Sequence, residues 1–526
     1  MFATLAETAA AVRSGTVSSR ELVAHALAAA DRLDPVLGAY VTRFPEEALL
    51  AAKRADAATA AGEELGPLHG VPLAVKDNLA TAEGPTTGQS PAHDPRWWLG
   101  RDADAVAALR AAGAIVLGKT TMAEYAVGRP EPAHTFPVPR NPWDVDRWTG
   151  GSSCGNGAGI AAGLFPAALG TDTAGSVRLP AALCGITGLK TTYGLVPRAG
   201  LLPLSWSQDV VGPMAATAHD CALLLDTLTP RPAATDLPDR IRIRVPEEVV
   251  MHPGVLPATR AAFDTALLDL RATGAEIVPF PLPEFPALQA ANAVTMLTEA
   301  FAAHGTSLAA AWTTHGRSFR RVVGAGALIP GHLYLRAQRA RAAALSALLA
   351  RLGPYDVIAT PTWPSGARRY TDEPALPGDE FNPAAAWNAA GLPALALPMG
   401  ADPDGMPLSL QLVGRPGADG LLLALGMRYQ SGTEHHRRRP AVDPAAVPLP
   451  LPDPDAADSP ARPAEDRVQA IADALGTTPS ADDLAVLAGF GAMLGPLADV
   501  LGTVGPDVEP ILGLAAEQVL FAHPVT

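Results

Sequence analysis

The chain has 526 residues, 48% of them hydrophobic, and a formal net charge of −14. Its length exceeds one ordinary core, so a large domain with an appendage is expected, and the acidic balance excludes the clustered Lys/Arg of a nucleic-acid groove. No stretch reaches the ~18 uncharged apolar residues of a membrane span, and the three cysteines, Cys154, Cys184 and Cys221, fit neither a disulfide framework nor a zinc site.

The opening residues lack a basic n-region and carry Glu7 where an apolar h-region would run, so a cytoplasmic protein is expected. Half of the net charge lies in residues 461–526, where nine acids oppose two arginines. Only four lysines occur, Lys53, Lys76, Lys119 and Lys190. Arg stays charged in a protein, whereas a buried Lys can become a neutral base, so each Lys is of interest.

In chain order, residues 1–65 read as helices. Ser18 or Ser19 caps a helix with Leu22, Ala26 and Leu27 on one face, and Pro45-Glu46-Glu47 opens another. Residues 70–78, Gly-Val-Pro-Leu-Ala-Val-Lys-Asp-Asn, are a β-rich run whose terminal Lys76 is either an ion-pair partner or a base. A helix over 104–113, a strand over 114–118 and a turn at Lys119-Thr120-Thr121 into another helix continue an α/β alternation. Residues 133–149 form a Pro- and Trp-bearing loop.

Two Gly-rich, Ser-bearing segments follow, Thr149-Gly-Gly-Ser-Ser-Cys-Gly155 and Gly170-Thr-Asp-Thr-Ala-Gly-Ser176. A helix of small residues, 155–163, lies between them. Residues 215–350 read as mostly helical. Strands are expected over 356–361, 394–398 and 408–413, with a helix over 420–430. Eight prolines in residues 440–463 mark an extended, poorly ordered linker. Helical patterns at 467–475 and 482–501 form a small acidic tail.

Glycine clusters let the backbone approach a ligand and leave N–H groups free for an anion or oxyanion. Gly151-Ser152-Ser153-Cys154-Gly155 satisfies G-x-S-x-G, but that elbow needs a strand before it, which 141–149 cannot be. Gly157-Ala158-Gly159 lacks the register of a dinucleotide loop. Cys154 has no His nearby in sequence and reads as a packing residue rather than a thiol nucleophile.

Residues 70–78, 150–155 and 170–181 together resemble the amidase signature family. Supporting pieces run in family order at 117–120, 140–143, 188–194, 212–214, 391–394 and 411–416, and the match covers about residues 5–440. The resemblance implies an α/β fold, with a large mixed central sheet flanked by helices on both faces and a small helical C-terminal segment. The domains are then 1–439 catalytic, 440–463 linker and 464–526 appendage.

The same resemblance implies a hydrolase of carboxylic amides that works through a seryl acyl-enzyme, with Ser176 as nucleophile, Ser152 on a cis peptide as relay and Lys76 as base. It further implies an oxyanion hole from the backbone of Thr173, Ala174, Gly175 and Ser176, with Ser153, Asp172 and Arg178 supporting. No metal or organic cofactor is required. A lysine normally titrates near ~10.4, and burial lowers that by up to several units, so neutral Lys76 can draw a proton from Ser152 as Ser152 takes one from Ser176. Cys154 and Asn156 depart from the usual Gly and Ser, and Ala174 from the first Gly of Gly-Gly-Ser; a positive φ at Ala174 would be strained. The expected partner is a small-molecule amide, with no nucleic acid and no membrane, and a homodimer stays open. The alternatives are a glutaminase subunit of a tRNA-dependent amidotransferase, or an inactive scaffold. Residues 482–510 are similar to the small C-subunit-like proteins of amidotransferases, which implies a partner fused by the linker and docked on its own or a neighbouring catalytic domain.

Overall fold

The computed structural model describes residues 4–130, 135–230, 237–372, 381–451 and 479–501, together with 472, 475 and 477. Eleven strands form one sheet: β1 (Tyr40–Arg43), β2 (Pro72–Lys76), β3 (Ile115–Thr120), β4 (Ala167–Asp172), β5 (Thr187–Lys190), β6 (Val210–Ala215), β7 (Arg242–Val245), β8 (Glu276–Pro279), β9 (Asp356–Pro361), β10 (Ala394–Ala401) and β11 (Pro407–Val413). Their order is β1-β3-β2-β4-β6-β5-β10-β11-β9-β7-β8. β2 runs parallel to both β3 and β4, and β7 to both β8 and β9, while the other neighbours are antiparallel. The sheet is therefore mixed and covered on both faces, which is why its central strands are apolar without alternation.

The two faces differ in side-chain size. Leu73, Val75, Leu169, Leu395 and Leu397 point into one core cluster. Their alternate neighbours Ala74, Ala168 and Ala396 point into another, shared with Ala158, Ala161 and Phe165. Small residues on the second face let a helix of small residues approach the strands closely. That helix, Cys154–Ala162, is the expected one, and Gly163 ends it in a left-handed cap with φ 75°.

Near the N-terminus three helices flank β1 in sequence: Leu5–Arg13 and Ser19–Leu37 before it and Pro45–Ala61 after it. Ser18 caps the second through a reciprocal bond with Glu21. β1 departs from the all-helical expectation for 1–65; four residues carry too short a pattern to read. The same holds for β7 and β8, which interrupt the stretch expected to be helical. Lys119 and Thr120 belong to β3 rather than to a turn, and only a short 3-10 turn, Glu124–Ala126, follows.

Long helices Phe285–Ala310 and Gly331–Arg351 pack on one another, and Arg317–Gly324 joins them. The helix Ala481–Leu501 lies across all three. Its Leu484 and Leu487 share a cluster with Trp312 and Phe319. Asp483 receives Arg320 Nε and Arg321 Nε, each at 2.8 Å, and Trp312 Nε1 at 3.2 Å. Residues 440–451 form neither helix nor strand, with one turn closed by Ala446 N–H on the Asp443 carbonyl, yet they are pinned: Leu449 N–H donates to Asp146 at 2.7 Å, and its carbonyl accepts from Arg140 at 3.1 Å. The linker beyond 451 and most of the expected helix over 467–475 lie outside the described residues.

Candidate active site

The parallel strands β2 and β4 end side by side, one in Lys76 and the other in Asp172. The C-terminal edge of parallel strands is where α/β folds gather functional groups. The helix Cys154–Ala162 begins against this edge, which brings Ser152 and Ser153 to it, and Ser153 N–H donates to the Ser176 carbonyl at 3.1 Å. That bond joins the two serine loops. The Gly151–Ser152 peptide is cis, as the resemblance implies.

Lys76 is wholly buried. Its Nζ lies 2.8 Å from Ser152 Oγ, 2.8 Å from Thr171 Oγ1 and 3.4 Å from the Thr171 carbonyl. No carboxylate touches it among the described residues. Burial pulls its titration down to about 7, opposed by the negative charges of Asp172 and Asp209. Ser176 is the most accessible of the three groups at 9% exposure, against 3% for Ser152 and 0% for Lys76. Accessibility thus rises from the Lys76 amine through Ser152 to the Ser176 hydroxyl.

The other buried lysines are held differently. Lys119 pairs with Asp77 at 2.9 Å. Lys190 donates to the carbonyls of Leu392 at 2.6 Å and Thr191 at 3.0 Å. Lys76 alone of the three contacts serine and threonine hydroxyls without an anion.

Asp172 organises the second serine loop. Its carboxylate accepts from Arg178 Nε at 3.0 Å and Nη2 at 2.9 Å, and from the backbone of Gly175 at 2.8 Å and Val177 at 3.1 Å. Burial would raise its pKa, but the Arg178 guanidinium overrides that and holds it well below the usual carboxylate range. Because Gly175 N–H is taken by Asp172, it is not a free oxyanion donor, and the expected set narrows to Thr173, Ala174 and Ser176. Gly175, with φ 118°, carries the positive φ of the loop; Ala174 does not, so Ala in place of Gly there is unstrained. A Cβ at Gly175 would meet Leu179 and Ala384, which fixes glycine at that position.

Three amides hold the loop's carbonyls from outside: Asn388 on Asp172 at 3.0 Å, Asn292 on Thr173 at 3.0 Å and Asn382 on Ala174 at 2.9 Å. The Thr173 hydroxyl donates to Asp209 at 2.6 Å. Burial lifts Asp209 to about 6 against the hydrogen bonds of Thr173, Leu204 and Ser205. None of these partners was singled out from sequence. They arrive from 36 to 216 residues away, and a scattered Asn has no local pattern.

The two decoys resolve plainly. No strand precedes Ser153, whose Oγ donates inward to the Thr171 carbonyl at 3.3 Å. Burial pushes the Cys154 thiol up to about 11, so it is protonated and a poor nucleophile.

The family model named Amidase matches residues 21–423. The chain belongs to the amidase family. It is an enzyme of amide carbon–nitrogen bonds. Among similar amidase-family proteins is the A-type component of the glutamyl-tRNA(Gln) amidotransferase of Symbiobacterium thermophilum, 36% identical over 82% of this chain and 96% of that one. A solved structure described as a vestigial protein complex that reveals the origins of an s-triazine catabolic enzyme aligns with TM-score 0.75 and 32% identity, covering 82% of this chain and 98% of that one. The native peptide amidase of Stenotrophomonas maltophilia aligns with TM-score 0.70 and 29% identity, over 84% and 98% of the two chains. No helix among the described residues is long and apolar enough to cross a membrane.

Proposed function

We propose that this enzyme hydrolyses a small carboxylic amide through an ester on Ser176. Neutral Lys76 accepts the proton of Ser152 while Ser152 accepts that of Ser176, and Ser176 Oγ bonds to the amide carbon. The carbonyl oxygen becomes an oxyanion facing the loop N–H groups of Thr173, Ala174 and Ser176. A donor of that kind is typically worth ~3–4 kcal/mol of barrier. The proton then passes back through Ser152 to the leaving nitrogen, the C–N bond breaks, and water attacks the ester by the same relay to free the carboxylate. Every proton moved is returned, so no cofactor is needed.

The observation that carries this reading is the 2.8 Å contact of a buried, anion-free lysine with Ser152. Ser176→Ala is expected to abolish turnover, and a fluorophosphonate to label Ser176, read by peptide mass spectrometry. Labelling at Ser153 or Cys154 in its place, or full activity of Ser176→Ala, would overturn the assignment.

A second reading, a glutaminase component that depends on partner proteins, is favoured by the amidotransferase components among the relatives. Ammonia release from a panel of simple amides, with and without glutamine, separates the two. Turnover by the isolated chain supports the hydrolase, and glutamine-only activity supports the component. In the hydrolase reading the C-terminal segment is an accessory subunit fused to its own catalytic domain, which the packing of Asp483 against Arg320 and Arg321 supports. The setting proposed is cytoplasmic.

A further inference from the structure

The amine of Lys76 has four tetrahedral directions, one of them its own carbon. The structure shows what occupies the others: Ser152 Oγ, Thr171 Oγ1 and the Thr171 carbonyl. One residue therefore supplies two of the three partners. The carbonyl can only accept. It lies in β4 and also accepts from Ser153 Oγ at 3.3 Å, so it is fixed by the sheet and by a second serine. The Thr171 hydroxyl is fixed in turn by the Asn78 carboxamide at 3.0 Å. Asn78 is 2% exposed, and the other end of its carboxamide, Oδ1, has no partner. A buried amide with one end unpaired carries a desolvation cost, and the one bond it does make is to this hydroxyl.

We propose that Thr171 and Asn78 are positioning residues for the base: they hold two N–H directions of Lys76, so that the third direction always lies on Ser152. In the neutral amine that third direction is the lone pair, which receives the Ser152 proton. In the ammonium formed as the proton arrives, all three directions are N–H bonds and all three neighbours accept. The site is thus matched to the state that develops during acylation, when matching accelerates the reaction. This inference rests on the hydrolase reading, and it adds the residues that aim the base.

The charged and titratable groups around Lys76 are the Cys154 thiol at the start of its helix, Asp172 at the end of β4 and Asp209 before β6. None of them is altered by exchanging Thr171 for Val, which keeps the shape and removes the hydroxyl. Thr171→Val removes one acceptor from the ammonium, so the ammonium is disfavoured and the acid limb of kcat/KM moves to lower pH. Losing a hydrogen bond to a charged group is expected to lower kcat about tenfold or more, with KM little changed. Thr171→Ser is expected to restore both the limb and the rate.

A Thr171→Val enzyme with the parental limb and kcat, or one changed only in KM, overturns the proposal. So does a Thr171→Ser enzyme as impaired as Thr171→Val, because packing and not the hydroxyl would then be at issue. Should Thr171→Val not fold, Asn78→Ala decides: a lowered kcat with a shifted limb supports the positioning role, and an unchanged profile ends it. Fluorophosphonate labelling of the unmodified enzyme is the independent arm. If Ser176 is not labelled there, the hydrolase reading itself has failed; if it is labelled and the profiles do not move, only the positioning role has.

Discussion

A lysine with no counter-ion is an unusual thing to bury. Lys76 is tolerated because hydroxyls and a carbonyl satisfy it in either protonation state, and because burial brings its titration down to about 7, where the neutral amine is readily populated. The sign of its pH dependence follows. As the proposed base, Lys76 must be unprotonated, so kcat/KM should fall as pH drops through about 7, the value to which burial has brought it. A pH–rate profile with this limb is expected, together with loss of most activity in Lys76→Ala. A profile flat from pH 9 to pH 5 would remove Lys76 from the mechanism. The neighbouring departures from the family pattern cost the site little. Asn156 bonds the Leu169 carbonyl at 2.9 Å and also receives the Thr120 hydroxyl, which gives its polar ends partners inside the protein.

At the scale of elements, the site depends on how closely the helix Cys154–Ala162 approaches its neighbours. At Gly155 a Cβ would collide with the Ala39 carbonyl oxygen and come within 2.7 Å of Thr121 N, both of them backbone atoms that cannot swing aside. Gly155→Ala should therefore lower stability by ~1–3 kcal/mol, the usual range for overpacking, and lower kcat by shifting Ser152. Chemical denaturation and kinetics check both, and a variant of parental stability would show that the strands can give way. This element was legible in sequence because Gly and Ala dominate it. The proposed triad, Lys76, Ser152 and Ser176, likewise lies in Gly-bearing motifs at fixed spacing, and the structure brings Lys76 to within 2.8 Å of Ser152. The strands β1, β7 and β8 were not, because four-residue runs such as Arg242–Val245 owe their conformation to the neighbours they pair with. The resemblance implies four oxyanion donors, and only the placement of Asp172 shows that the Gly175 N–H is already engaged.

Over the whole molecule, the helix Ala481–Leu501 rests on the helices Phe285–Ala310, Arg317–Gly324 and Gly331–Arg351, the first of which sends Asn292 to the Thr173 carbonyl. Its anchor, Asp483, is buried and meets two guanidiniums, so their attraction holds its pKa down against the burial that would raise it. Asp483→Ala leaves Arg320 and Arg321, each partly solvent-exposed, without their anion. The expected loss is about 2 kcal/mol, less than for a fully enclosed pair because water screens part of the charge. Hydrogen exchange should rise in Ala481–Leu501 while the central sheet keeps its protection; equal protection in both proteins would make the contact incidental. The Pro-rich connection was readable as a spacer from composition alone, but its first part, 440–451, is held down by Arg140 and Asp146, residues some 300 positions upstream that no local reading could pair with it.

The scarcity of lysine has a practical side. Lys76, Lys119 and Lys190 are all fully enclosed, and only Lys53, on the helix Pro45–Ala61, faces solvent. Under native conditions an amine-reactive reagent should therefore attach at one lysine side chain, that of Lys53. That makes the folded enzyme a one-lysine surface for tethering to a support or carrying a dye, with the sheet edge that holds Lys76 untouched.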